Sequence, residues 1–113
     1  MSHILIVEDD KNIAHTLKLF CEHLNKPCVH VKTVGEALEC VKKNKPDLIL
    51  LDLLLENENS APLIEKVRDI CGVKAPRIVV MSAMIGANEI ATKHDLDFIS
   101  KPFNLDMLER LIA

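Results

Sequence analysis

Short, unbroken apolar runs alternate along the chain with amphipathic segments. Ile4-Leu5-Ile6-Val7, Leu48-Ile49-Leu50-Leu51 and Ile78-Val79-Val80-Met81 contain no polar residue. Runs of this length suit strands covered on both faces, and therefore a parallel sheet flanked by helices. Ile13, Leu17, Phe20 and Leu24 recur at helical spacing, and Pro27 closes that segment. Cys28 to Lys32 alternates apolar with polar residues, as an edge strand does. Thr33 and Glu36 have capping-box spacing ahead of the inward-facing Ala37, Leu38 and Val41. Asn44-Lys45-Pro46-Asp47 reads as a turn, and Glu56 to Ser60 as a polar loop. Pro62 opens a helix that carries Leu63, Ile64, Val67 and Ile70 and stops at Gly72. A short, weakly patterned helix near residues 88–93 follows, then a brief fifth strand, Phe98-Ile99-Ser100. Asn104 caps a last helix lined by Leu105, Leu108 and Ile112.

Five strand–helix alternations predict an α/β fold: a doubly wound, five-stranded parallel sheet with helices on both faces. The amphipathic second strand and the short fifth strand belong at the edges, which favours the order 2-1-3-4-5. Ligands bind such sheets at the carboxyl ends of the strands, where the order reverses. With 113 residues, 49% of them hydrophobic and 27% charged, the chain is expected to be one ordered domain spanning 1–113. A net charge of −3 gives no footprint for direct nucleic-acid or membrane binding. Lys42, Lys43 and Lys45 fit a solvated helix end. Cys21, Cys28, Cys40 and Cys71 lack the spacing of a zinc or redox motif and read as reduced thiols, consistent with a cytoplasmic protein. The apolar pattern of the last helix runs to Ala113 without a capping glycine, so a longer parent protein is expected.

The strands end in chemically useful groups: Glu8-Asp9-Asp10 after the first, Asp52 after the third, Ser82 after the fourth and Lys101-Pro102 after the fifth. Each has an ordinary explanation alone. Asp9 and Asp10 could cap the first helix, Asp52 could begin a loop, Ser82 could cap a turn, and Lys101 could be solvated. Together they suggest one reaction. Like charges ~4 Å apart repel by about 4 kcal/mol at an effective dielectric near 20, so three clustered carboxylates call for a cation. Mg²⁺ suits a site of few carboxylates, waters and a phosphate. Asp52 would then act as nucleophile toward phosphorus, with Lys101 and Ser82 binding phosphoryl oxygens.

With these four segments in order, the whole chain resembles the response-regulator receiver domain of two-component signalling, chemotaxis-regulator-like, with its flavodoxin-like topology. The resemblance implies that Asp52 is the phosphoacceptor, Asp9 a direct metal ligand, Glu8 a ligand through water, and the Leu54 carbonyl a further ligand. It implies that Ser82 is the switch hydroxyl, Phe98 the switch aromatic, Lys101 the phosphate-binding lysine, and Lys101-Pro102 a cis peptide. It also implies a histidine kinase or phosphotransfer protein as donor, and a switched face built from the last two helices and fifth strand, through which a homodimer could form. Such a domain is no general enzyme; it catalyses only its own phosphoryl transfer and dephosphorylation. Three features depart from the family pattern. Glu56 and Ser60 stand where proline and glycine are usual, His94-Asp95 replaces the common glycine-alanine, and the fourth helix is short. Leu54 and Met84, beside the phosphoryl position, cannot orient a water, which predicts a slowly decaying phosphoryl state. A receiver-like interaction module that takes no phosphate is the alternative. A flavodoxin-type electron carrier is disfavoured because Glu8-Asp9-Asp10 would repel a flavin phosphate. A haloacid-dehalogenase phosphatase is disfavoured because Asp52-Leu53-Leu54 lacks the second aspartate.

Overall fold

The computed structural model describes residues 3–55 and 58–112. The parallel sheet consists of β1 (Ile4–Val7), β2 (Cys28–Val31), β3 (Leu48–Asp52), β6 (Arg77–Ser82) and β7 (Asp97–Ser100), in the order β2-β1-β3-β6-β7. This is the predicted 2-1-3-4-5 order. The intervening β4 (Leu54–Leu55) and β5 (Glu58–Asn59) pair antiparallel as a small separate hairpin. Here the expected polar loop is corrected to a hairpin. Its Glu56 and Asn57 lie outside the described residues.

Among the described residues five α-helices pack on the sheet: α1 (Lys11–His23), α2 (Val34–Lys43), α3 (Pro62–Cys71), α4 (Ala87–Lys93) and α5 (Leu105–Ile112). Their ends follow local chemistry. Asp10 caps α1 by accepting from the N–H groups of Asn12 and Ile13 at 2.8 and 3.0 Å. Thr33 accepts from Glu36 N–H at 3.1 Å, while the Glu36 carboxylate reaches back to Lys32 N–H at 3.1 Å. Gly72 ends α3 with a φ of 62°, a conformation glycine adopts at little cost. Asp95 adopts a φ of 57° after α4, the left-handed region that asparagine and aspartate tolerate best among residues other than glycine.

Strand periodicity divides the core into two layers. Leu5, Val7, Ile49, Leu51, Ile78 and Val80 face α2, α3 and α4, whereas Ile4, Ile6, Leu48, Leu50, Val79 and Met81 face α1 and α5. Leu63, Ile64 and Val67 fill the inner face of α3, but Ile70 remains 43% exposed near the helix end. All four cysteines are free thiols. Burial, reinforced by neighbouring Cys28, pushes the Cys21 thiol up to about 12. Because the thiolate is the reactive form, iodoacetamide at mildly alkaline pH should alkylate the partly exposed Cys28, Cys40 and Cys71 and spare Cys21 until denaturant is added. Peptide mass mapping checks this; rapid native labelling of Cys21 would contradict its placement.

Candidate phosphoacceptor and metal site

The same periodicity assembles the site. Glu8 continues the Ile4, Ile6 face of β1, and Asp52 continues the Leu48, Leu50 face of β3. These central strands are paired in register, Val7 opposite Leu51. Both carboxylates consequently emerge on one side of the sheet rim. Lys101 arrives from the end of β7 on the same alternation as Ile99, and its backbone N–H donates to the Ser82 carbonyl at 2.9 Å. The Lys101–Pro102 peptide is cis.

Glu8, Asp9 and Asp52 each present a carboxylate oxygen within 4.8 Å of the others. Glu8 is fully buried and Asp52 is 4% exposed. The Lys101 ammonium lies 2.6 Å from Glu8 Oε1 and 3.3 Å from Asp52 Oδ2. Burial, then the hydrogen-bonding contact with Asp52, raises the Glu8 carboxyl to about 7 despite Lys101. Burial alone would lower the Lys101 pKa, but Glu8 and Asp52 together raise it. One ammonium therefore does not satisfy the acids, and the donor set is entirely hard oxygen. That chemistry fits Mg²⁺ rather than a thiolate- or imidazole-seeking ion. Asp10 stands apart from the cluster as a helix cap, so only part of the acidic run belongs to the site.

Leu54 N–H donates to Asp52 Oδ1 at 3.2 Å, and the Leu54 side chain is largely exposed. An open cleft of about 450 Å³ separates Asp9 and Asp10 from Leu54 and Leu55. Ser82 is buried at the end of β6, where its Oγ accepts from Met84 N–H at 2.9 Å. Ser82 and Phe98 share the α4-facing side of the sheet: Val80 pairs with Phe98 and Ser82 with Ser100, making them diagonal neighbours. Phe98 is partly buried against that core layer.

Three participants escaped the sequence reading. His30 Nε2 donates to the Glu8 carbonyl at 2.6 Å, while Glu8 N–H donates to Val31 O at 3.1 Å, so β2 holds both backbone groups of Glu8. The Ser60 hydroxyl donates to the Asp52 carbonyl, and Glu58 Oε1 accepts from Val34 N–H at 2.9 Å. The only signal for Ser60 was its replacement of a usual glycine. His30 showed only as a polar position of the alternating second strand, and Glu58 only as part of a polar loop.

A family model, Response regulator receiver domain, matches residues 4–113. The chain is 35% identical over 112 residues to the response regulator ArlR of Staphylococcus haemolyticus, covering 96% of this chain and 49% of ArlR. It is 31% identical to the KDP operon transcriptional regulatory protein KdpE of Escherichia coli, covering 96% and 48%. It thus spans about half the length of these curated relatives. A putative response regulator from Chloroflexus aurantiacus superposes with a TM-score of 0.87 at 27% identity, covering 99% of this chain and 95% of the other. A two-component response regulator from Clostridium difficile gives the same score and identity, with coverages of 99% and 93%.

Proposed function

The chain belongs to the response regulator receiver domain family of two-component systems, and we propose that it takes a phosphoryl group onto Asp52 from the phosphohistidine of a kinase or phosphotransfer protein. A carboxylate oxygen of Asp52 forms the new P–O bond as the P–N bond to the imidazole breaks. Such transfer needs positioning and charge neutralisation more than covalent help. The observation that carries the reading is the buried Glu8–Asp52–Lys101 constellation beside Asp9. Glu8, Asp9, Asp52 and the Leu54 carbonyl would hold Mg²⁺. When bound, that ion neutralises phosphoryl charge. Lys101 gives the phosphoryl oxygens a charge-assisted hydrogen bond. Ser82 can add another, because a hydroxyl that accepts from Met84 N–H still carries a proton to donate.

Drawing Ser82 toward the phosphate changes the space beside its diagonal neighbour Phe98, and so biases the face of α4, β7 and α5. A partner, or a second copy meeting that face, would read the change. A module that only docked partners would have no use for burying two carboxylates against a lysine, since unpaired burial of charge is costly. Among the described residues no helix is long and apolar enough to cross a membrane. We read the domain as cytoplasmic and as not itself binding nucleic acid.

Incubation with a small acyl phosphate and Mg²⁺, followed by intact-protein mass spectrometry, tests the reading. One added phosphoryl group is expected with Mg²⁺ and none with EDTA. A folded protein that stays unlabelled at every Mg²⁺ concentration would overturn it. Once labelled, the protein should lose phosphate slowly, because apolar Leu54 and Met84 orient no water. Leu54→Asn should hasten the loss by about tenfold, less than the ~10²–10⁴-fold of a positioned acid or base because an amide only orients the water; an unchanged lifetime would contradict this.

A further inference from the structure

We propose that Ser60 and Glu58 are positioning residues for the metal and phosphoryl site, a role that rests on the function just assigned to Asp52. Ser60 is fully buried. Its N–H donates to the Leu53 carbonyl at 2.8 Å, and its hydroxyl donates to the carbonyl of Asp52 itself. A glycine at this position could supply only the first bond. Ser60 is not among the residues with positive φ, so its backbone has no need of glycine.

Glu58 secures the other end of the same unit. In the hairpin Leu54 faces Asn59 and Leu55 faces Glu58. The Glu58 carboxylate binds the N–H of Val34, the first residue of α2, across 24 positions of sequence. The opening N–H groups of a helix lack partners within the helix, and that end favours negative charge, so the anchor is well matched. The β5 strand, which pairs with the Leu54 strand, is therefore tied to the Asp52 backbone through Ser60 and to α2 through Glu58. Receiver domains that carry proline and glycine in this loop restrict the chain itself; here side-chain hydrogen bonds hold it instead. Such preorganisation should show chiefly in metal affinity, because the loop need not be ordered when the ion arrives.

The test uses acyl-phosphate labelling across a Mg²⁺ titration, separating the midpoint from the rate at saturation. Ser60→Ala and Glu58→Ala should each raise the Mg²⁺ midpoint by about tenfold, the lower end of the effect of partners behind metal ligands. The saturated rate should fall by a smaller factor. Glu58→Gln keeps a neutral acceptor and should restore most of the affinity. General destabilisation moves the midpoint only when the unfolded fraction becomes appreciable, so thermal denaturation without Mg²⁺ must show both alanine variants fully folded at the labelling temperature. If Ser60→Ala does not fold, Ser60→Gly provides the same readout with the residue common in the family. Midpoints within about twofold of the parent for both alanine variants would overturn the proposal alone, being below the effect expected of such partners. A parent that takes no phosphate would overturn the assignment of Asp52, and this role with it.

Discussion

Asp52→Asn should abolish labelling by an acyl phosphate while making the metal-free protein more stable. The two effects share one cause. Asp52 is the proposed nucleophile, and an amide nitrogen and oxygen of near-identical shape offer no anionic oxygen to attack phosphorus. The same carboxylate lies within 4.8 Å of Glu8 and Asp9 oxygens, so its removal relieves like-charge repulsion. Lys101 still has Glu8 at 2.6 Å. A gain of about 1 kcal/mol is expected, well below the ~4 kcal/mol of a fully ionised pair at short range, because Lys101 already offsets part of the repulsion. Thermal denaturation in EDTA measures the gain, and mass spectrometry measures the loss. An unfolded variant would leave the assignment without support; a stable variant that still labels once would place the phosphate on another residue.

Lys101→Met should act in the opposite direction on stability. Glu8 is fully buried, and Lys101 supplies its cation. Without the ammonium, a Glu8 carboxyl already pushed up to about 7 rises further and takes up a proton at neutral pH, so the loss is expected to grow with pH toward the ~3 kcal/mol of a buried pair that leaves a charge behind. Mg²⁺ should return more stability to this variant than to the parent, since the added cation replaces the one removed. Labelling at saturating Mg²⁺ should slow by roughly tenfold to a hundredfold, corresponding to one lost charge-assisted hydrogen bond of ~1.5–3 kcal/mol. Denaturant unfolding with and without Mg²⁺ checks the stability effect. Equal stability of variant and parent in EDTA would mean that Lys101 does not compensate the acids.

The acids were legible in the sequence, whereas their environment was not. The two-residue alternation of β1 and β3 is a local property: once Ile4 and Ile6 share a face, Glu8 follows them, and Asp52 follows Leu48 and Leu50. Strand order could be inferred because the amphipathic Cys28–Val31 and the short β7 suit edges. The extent of burial at Glu8 depends on what covers it, and no local pattern reports that. The hairpin escaped because Leu54–Leu55 and Glu58–Asn59 are too short to show a period, and Glu58 acts on a residue 24 positions away. Ser60 reads as a turn residue, but its hydroxyl serves a buried carbonyl. Ile70 fits the helical spacing of α3, yet lies where the helix end leaves its packing surface. His30 was visible only as a polar position in an alternating strand; its use by the Glu8 carbonyl follows from the pairing of β1 with β2.

In the proposed state Glu8, Asp9 and Asp52 close around one divalent ion at the carboxyl end of the sheet. Paramagnetic broadening of amide NMR signals by substoichiometric Mn²⁺ tests it most directly. Resonances of residues 8–10 and 52–54 should broaden first, as a single saturable site, and recover on addition of excess Mg²⁺. Asp9→Asn should remove the effect without disturbing the rest of the spectrum. Broadening that begins elsewhere, or spreads evenly over the acidic surface, would contradict it.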